Sequence, residues 1–570
     1  MDIEKLVLKH LLINALKYGK AREDVVISKI IAENKDLRSR INEIREIIKQ
    51  KIDEVNNLSK EKIEEMLREF GIEKIEEKKQ EEFELPNAEK GKVVTAFPPE
   101  PSKYLHIGHA KAAFLNYYYA KKYNGKFILR FEDSNPEKVK REYYNAIRED
   151  LKWLGINWDY EDVLSLHLEE YYEAVRTLIV KDKAYACFCP KEKIKEYRLK
   201  GIECEHRNLP IEKSLKIFEE MLEGKYKEGE VFIRAKIDMQ HKNYAMRDPA
   251  LVRISYKTHP VVGNKYCVWP LYDFGTALLD YWEGITHRFR SKEFEMRTEL
   301  QNWIREALGI KKHPIIIEIA RFEIKNQLTS GRKIRELIQK GILTGFDDIR
   351  LVTLSALRKR GYLPQAIIDF VKRTGISKTE GKLEIEMLES ISRQHLDKFA
   401  NRYFFVDNPK LLKVINAPVK FAKIYFHPDF EDRGYREILT KGNFYISESD
   451  FNSLNIGDEV RLIDLYNIKI IDKKENEIVA QKTSEELVKD MKKIQWVSLN
   501  DDFVKVKVIK AENLLVDGKI NENSLKEIYG YGESTLKRIL IGERLQFIRF
   551  GFVKFEGVEN DIYKFTFIHK

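Results

Sequence analysis

The sequence predicts a multidomain protein, with an α/β core, helices before it and β structure after it. Three observations carry this expectation. At 570 residues the chain exceeds what one hydrophobic core holds. Val93-Val94-Thr95 is a β-branched run, followed by Pro98, Pro99 and Pro101 and then by a proline-free stretch, 108–123, rich in Ala, Leu and Lys. That order is strand, rigid turn, helix. Beyond residue 400 short alternating runs dominate, among them VKFAKIYFHP, EVRLIDLYNIKII and LQFIRFGFVKFEGV. These are the pattern of small β-barrels.

Composition narrows the class of partner. Lys and Arg number 102 against 92 Asp and Glu, a net charge of +10; so modest an excess accommodates an RNA partner without requiring one. A charged fraction of 34% also suits a hot environment. No apolar run reaches membrane-spanning length, and the opening MDIEKLVLKHLL carries acids early and no cleavage-site pattern. A cytoplasmic protein is expected, with neither membrane nor DNA as partner. Four cysteines argue against a disulfide framework.

Residues 1–85 are helical in pattern. Leu6, Leu8, Leu11, Leu12 and Ala15 share an apolar face, and IREIIKQKIDEVNNLSKEKIEEMLREFG repeats it. A small packing domain is expected, with an RNA or protein contact as the alternative. The charge-rich 73–92 predicts an exposed linker.

The strand, turn and helix of 93–123 leave free backbone N–H groups at the helix start, where phosphate binds. His106, Gly108 and His109 stand at that junction, and imidazoles there can donate to phosphate oxygens. FPPEPSKYLHIGHAKAAFLN resembles the HIGH-motif region of class I aminoacyl-tRNA synthetases, in the glutamyl/glutaminyl branch. Later segments resemble that family in the same order. The resemblance implies a Rossmann-like class I synthetase catalytic core, 91–166 and 272–320, interrupted at 167–271 by an inserted acceptor-stem-binding domain. Around it would lie the helical domain 1–85, a helical connector with the second motif at 321–400, and tandem anticodon-binding β-barrels at 401–570. It also implies ATP, accompanied by Mg2+, at Pro98, Glu100, His106, Gly108, His109 and Ser330.

A second strand, Lys126 to Phe131, runs into Glu132-Asp133-Ser134-Asn135-Pro136. Carboxylates at the carboxyl end of a strand lie where open α/β sheets bind ligands. By resemblance Glu132 receives the α-ammonium group of the amino acid, while Asp133 and Ser134 suit a helix N-cap cluster.

In the insertion, Cys187-Phe188-Cys189 is followed, with fourteen residues between, by Cys204-Glu205-His206. Two close pairs of ligands, Cys187, Cys189, Cys204 and His206, are the arithmetic of a tetrahedral structural zinc (Zn2+) site; buried thiols beside a surface His are the alternative. Cys267, in KYCVWPL, is expected in the core. Met246-Arg247-Asp248-Pro249, with Arg253 nearby, resembles the family's M-R-D-P element. The resemblance implies that Arg247, Asp248 and Arg253 grip the tRNA acceptor end, whereas the plainer reading is an Arg–Asp pair closing a turn.

By the same resemblance Tyr272, in WPLYDF, joins Glu132 on the substrate amino group, and Arg290, in EGITHRFRS, is the residue of specificity. A buried guanidinium favours a γ-carboxylate, and a neutral amide would leave its charge uncompensated. Arg290 therefore points to glutamate, unless it is a surface Arg at a strand end. LTSGRKI occupies the place of the family's flexible second motif, where Arg332 and Lys333 on a supple Ser-Gly loop would close over the phosphates. Three positions depart from the family pattern. Gly331 replaces a Lys that would stabilise the pyrophosphate leaving group, Ala96 replaces an Arg that helps bind the amino acid, and Lys103 replaces a Gly in the proline turn. Lys103 would return a positive charge to the phosphate side. Among the β-strands, Arg433, Arg436, Lys441 and Tyr445 are candidates for stacking on splayed bases.

The activity implied is ATP-dependent charging of tRNA-Glu with glutamate, as in the archaeal-type members of the family, with tRNA-Gln left open as a second acceptor. A synthetase-derived tRNA-binding protein, weak or inactive in catalysis, is the first alternative, favoured by Ala96 and Gly331. A glutaminyl enzyme is the second, opposed by Arg290.

Overall fold

The computed structural model describes residues 3–72, 83–378 and 381–570. Residues 73–82, the first half of the expected linker, lie outside the described residues. Helices α1 (Ile3–Tyr18), α2 (Glu23–Glu33), α3 (Ile41–Asn57) and α4 (Lys60–Glu69) close around Val7, Leu11, Leu12, Ile30, Ile44 and Ile48. Apolar residues recur at helical spacing on each, so that four one-sided faces bury one another.

The core follows with β1 (Val94–Phe97), α5 (Ile107–Lys122), β2 (Lys126–Phe131), α6 (Arg141–Trp153) and β3 (Tyr160–Val163). β1, β2 and β3 pair in parallel, with Ala96 opposite Ile128. An insertion then leaves the core: α7 (Leu168–Val180), β4 (Ala184–Cys187), α8 (Lys191–Lys200), α9 (Ile211–Leu222), β5 (Phe232–Ala235), β6 (Ala250–Ile254) and β7 (Val268–Pro270). Its four strands form an antiparallel sheet in sequence order. The chain re-enters the core with α10 (Tyr272–Trp282), β8 (His287–Ser291), α11 (Arg297–Ala307) and β9 (Ile315–Ile319), β8 pairing in parallel with β9.

β1 and β8 meet edge to edge. Val94 N–H donates to Thr286 Oγ1 at 2.9 Å, and Thr286 N–H donates to Val94 O at 2.9 Å. The strands therefore run β3, β2, β1, β8, β9, and the order reverses between β1 and β8. Open α/β sheets bind ligands in the crevice at such a reversal, beyond the carboxyl ends of the strands. Asn116 of α5 spans the junction: its Nδ2 donates to Phe289 O at 3.0 Å, its Oδ1 accepts from Phe289 N at 3.1 Å, and its carbonyl accepts from Thr95 Oγ1 at 2.7 Å. Thr95 and Phe289 thus face α5. Side chains alternate along a strand, so Ala96, Arg288 and Arg290 share the other face, beneath α10.

After β9, helices α12 (Gly331–Gln339), α13 (Leu354–Arg360), α14 (Pro364–Thr374) and α15 (Ile385–Leu396) form the connector. Two seven-stranded, barrel-like sheets follow. They are nested rather than consecutive: strands at 402–407 belong to the same sheet as 504–511, 525–532 and 544–569, while Lys410–Ile415 and the strands from Asn443 to Ser498 build the other, and Lys420–Tyr425 pairs with Tyr435–Thr440 as a separate two-stranded sheet. Local alternation shows each strand but not its partner across some hundred residues.

Candidate active site

The crevice at the reversal is a cavity of about 590 Å³. Its walls come from the carboxyl ends of four strands: Pro98 and Pro99 after β1, Glu132 after β2, Ser291 and Glu293 after β8, Ala320 and Arg321 after β9. Tyr272, Arg288 and Arg290 line it as well, as do His106, Gly108 and His109.

α5 begins here through a reciprocal cap. His106 Nδ1 accepts from Gly108 N at 3.1 Å, and His109 Nδ1 accepts from His106 N at 3.1 Å. A backbone N–H can only donate, so both Nδ1 atoms are unprotonated and both rings carry their proton on Nε2. Burial, together with the nearby Lys103 and Arg321 charges, lowers His106 to about 3, and burial also holds His109 well below its ordinary 6.5. The pair is neutral, with two Nε2–H groups left to donate. Gly108 is forced by this geometry: a Cβ there would lie 2.9 Å from His106 Cε1 and 3.0 Å from its Nδ1. The turn is pinned from below, Ile107 N–H donating to Val352 O at 3.2 Å and Leu354 N–H to Leu105 O at 2.9 Å.

Glu132 is buried, and its Oε1 accepts from Arg130 Nη2 at 3.0 Å and from Thr276 Oγ1 at 2.6 Å. Arg130 also binds Asp280 at 2.9 Å and Glu283 at 2.8 Å, and Arg288 binds Asp280 at 3.0 Å. Burial works against the charge of Arg130, but Glu283, Asp280 and Glu132 outweigh it and raise its pKa. Burial pushes Glu283 up to about 7. Arg290 is 5% exposed and hydrogen-bonds neutral groups: Gln301 Oε1 at 2.9 Å, Phe294 O at 3.1 Å, and Thr298 Oγ1. Among the described residues no carboxylate stands within ion-pair distance of it. The structure thus brings Glu132, Tyr272, Arg290, His106, Gly108, His109, Pro98 and Glu100 to one cavity.

Other predicted residues lie elsewhere. Ser330, Arg332 and Lys333 are exposed, and none of them lines the cavity. Arg332 and Lys333 sit on the first turn of α12 instead of a loop. Asp248 is 0% exposed, accepting from Arg207 Nε at 2.8 Å and Ile237 N at 2.7 Å. Its carboxylate cannot touch a tRNA, and its arginine partner is Arg207, not Arg247. Arg247 spends its guanidinium on the carbonyls of His241, Arg198 and Leu199, and Arg253 is half-buried on β6. Arg436 is buried against Glu533, which excludes it from base stacking; Tyr445 packs on Tyr531 with ring centroids 4.7 Å apart. Arg433 donates to the carbonyls of Ala400 and Lys398, and Lys441 is exposed. Cys267 is half-buried, its thiol on Met221 O at 3.4 Å.

Sequence reasoning missed Arg288 and Lys111. Arg288 was detectable by strand period: with Phe289 facing α5, it must share the face of Arg290. Lys111, two residues after His109, lines the same cavity, and burial lowers its pKa to about 8.

The ligand atoms of Cys187, Cys189, Cys204 and His206 lie within 4.8 Å of one another. Cys187 Sγ and Cys204 Sγ are 3.8 Å apart, and Cys189 Sγ and His206 Nδ1 are 3.5 Å apart. Zinc–sulfur bonds of about 2.3 Å in a tetrahedron set S···S edges of about 3.8 Å, which the Cys187–Cys204 edge matches. Arg234 Nη1 approaches Cys187 and Cys204 at 3.7 and 3.6 Å, one positive charge against the surplus negative charge of three thiolates and a dication. The cluster is compatible with zinc.

Residues 92–398 match the family described as tRNA synthetases class I (E and Q), catalytic domain. Residues 400–486 and 493–556 match two anticodon-binding domain families of the same class. Glutamate–tRNA ligases resemble the chain over its length: that of Pyrococcus horikoshii is 41% identical over 100% of both chains. That of Korarchaeum cryptofilum is 39% identical over 97% of this chain and 98% of its own. The Methanocaldococcus jannaschii ligase is 38% identical over 100% of both. With a catalytic-domain family covering more than half of it and relatives matching it from end to end, the chain belongs to the class I tRNA synthetases of the E and Q branch.

Proposed function

We propose that the chain is a glutamate–tRNA ligase, activating glutamate with ATP and transferring it to the 3′ end of tRNA-Glu. The observation that carries the choice of amino acid is the buried Arg290, which lines the cavity with Glu132 and Tyr272 and has no acid beside it among the described residues. A γ-carboxylate neutralises it; a γ-amide cannot.

Catalysis rests on positioning and charge stabilisation. Glu132 and Tyr272 hold the α-ammonium group, and Arg290 the γ-carboxylate. Pro98, Glu100, Gly108 and the start of α5 take the ATP. An α-carboxylate oxygen attacks the α-phosphorus, and the bond to the bridging oxygen breaks, its electrons leaving with pyrophosphate. The Nε2–H groups of His106 and His109 donate to phosphate oxygens as charge grows there, and need no protonation to do so. A magnesium ion accompanying ATP would supply charge to offset that of the phosphates. The terminal ribose hydroxyl of the tRNA then takes the glutamyl group and AMP leaves. Arg247 and Arg253 remain candidates for acceptor-end contacts, and Cys187, Cys189, Cys204 and His206 for a structural zinc, since four protein ligands leave no open position. No helix among the described residues is long and apolar enough to cross a membrane, and a cytoplasmic site of action accords with charging tRNA.

The test is glutamate-dependent ATP–pyrophosphate exchange with tRNA present, and charging of purified tRNA-Glu and tRNA-Gln. Exchange and tRNA-Glu charging are expected; the tRNA-Gln lane decides acceptor range. A tRNA-binding protein without catalysis, favoured by the exposed Arg332 and Lys333 and by Gly331, would bind tRNA and exchange nothing.

A further inference from the structure

We propose that Lys103 supplies the ammonium group that holds the outer phosphates of ATP and the departing pyrophosphate, and that residue 331 is glycine because the Lys103 side chain lies across it. The proposal rests on the ligase reading above.

Lys103 lies in the turn that leads into His106 and lines the cavity. Among the described residues its ammonium has no hydrogen bond and no carboxylate within ion-pair distance. The neighbouring charges are otherwise engaged: Arg321 binds Glu293 at 2.7 Å, Arg335 Nη1 donates to Ser102 O at 2.9 Å, and Glu100 accepts from Ser102 Oγ at 2.8 Å. Its charge is felt by both histidines, each of which it disfavours from protonating. Lys103, His106 and His109 line the same cavity. Burial, together with the Arg321 and Arg335 charges, lowers the pKa of Lys103, while Glu100 and Glu293 support its charge. It is a half-buried cation awaiting an anion.

The second motif explains the placement. A Cβ on Gly331 would lie 3.1 Å from Lys103 Cδ and 3.2 Å from its Cβ, so the lysine stem crosses the start of α12 where only hydrogen fits comfortably. Arg335 ties that helix to the carbonyl preceding Lys103. The cation that α12 lacks at residue 331 is thus delivered by the turn packed on it, whereas Arg332 and Lys333 point to solvent. When the bond from the α-phosphorus to the bridging oxygen breaks, the new charge falls on pyrophosphate, and an ammonium there lowers the barrier.

Lys103→Met keeps the stem over Gly331 and removes the charge. Its kcat for exchange is expected to fall about a hundredfold, with KM for glutamate unchanged, and its pyrophosphate affinity, measured by calorimetry, to fall about tenfold. The double variant Lys103→Gly/Gly331→Lys, which moves the ammonium onto α12, should recover much of the lost rate. Exchange by Lys103→Met within about threefold of wild type overturns the proposal. Wild-type protein that exchanges nothing refutes the ligase reading instead; calorimetry then decides Lys103 alone, since unaltered pyrophosphate binding in Lys103→Met overturns its role.

Discussion

Arg290→Ala separates what the residue does for the fold from what it does for glutamate. In the fold its guanidinium bonds only neutral groups among the described residues: Gln301, Phe294 and Thr298. Each lost bond costs about 1 kcal/mol, partly offset because an uncompensated buried charge also disappears. The melting temperature should stay close to wild type. With glutamate bound the balance differs, because truncation leaves the γ-carboxylate buried without a counter-charge, a loss of about 3–5 kcal/mol. At 1.36 kcal/mol per factor of ten this is about 10²- to 10⁴-fold in kcat/KM for glutamate. The assay is steady-state exchange over a range of glutamate concentrations, beside a thermal melt. Arg290→Lys retains the charge but not the two-pronged geometry, and should fall between the two. A folded Arg290→Ala protein whose kcat/KM for glutamate lies within about threefold of wild type would refute the reasoning.

Gly108→Ala forces the His106 ring aside, since the new Cβ would sit 2.9 Å from its Cε1. Exchange should drop about a hundredfold at nearly unchanged melting temperature, and an active alanine variant would show that the ring position does not matter. Metal analysis of protein grown with zinc should find one equivalent, and Cys204→Ala should lose it and melt earlier; wild type without zinc contradicts the cluster's assignment. His106 and His569 titrate at about 3 in the fold against an ordinary 6.5, in both cases chiefly through burial. As pH falls the unfolded chain binds those protons first, so stability is full above 6.5 and is lost progressively below it. At pH 5 each histidine costs about 2 kcal/mol. Replacing His569 by Asn should flatten the pH dependence of chemical denaturation by that amount, and an unchanged slope would show that the ring is not buried in its neutral form.

What the sequence made legible was local. Strand, proline turn and capped helix are contiguous, and the residues that line the phosphate side lie within a dozen positions of one another. The two Cys/His pairs were legible because zinc ligands come in short spacings. Residues whose meaning depends on distant partners were misjudged. Asp248 beside Arg247 suggests an exposed pair, but Arg207, forty-one residues earlier, claims its carboxylate. Arg436 is buried by Glu533, ninety-seven residues later. The Ser-Gly before Arg332 and Lys333 predicts a loop, yet the apolar spacing of Ile334, Leu337 and Ile338 makes α12 begin at Gly331.

Charge explains why these residues belong together. Arg130 and Arg288 are balanced within the protein by Glu132 and Asp280, while Glu283 lies near its own titration point at about 7. That network holds Glu132 in place without drawing on Arg290 or Lys103. In the proposed function those two side chains are left to the substrates, Arg290 for the γ-carboxylate and Lys103 for the outer phosphates. Between them His106 and His109 sit with ring centroids 3.8 Å apart. Were both protonated, their repulsion and that of Lys103 would oppose the fold in the empty cavity; as neutral rings they contribute donors without that repulsion. In the proposed reaction the neutrality of the histidines and the placement of Lys103 are therefore one arrangement: dipoles for the oxygens that gain charge briefly, and a lysine for the group that leaves with it.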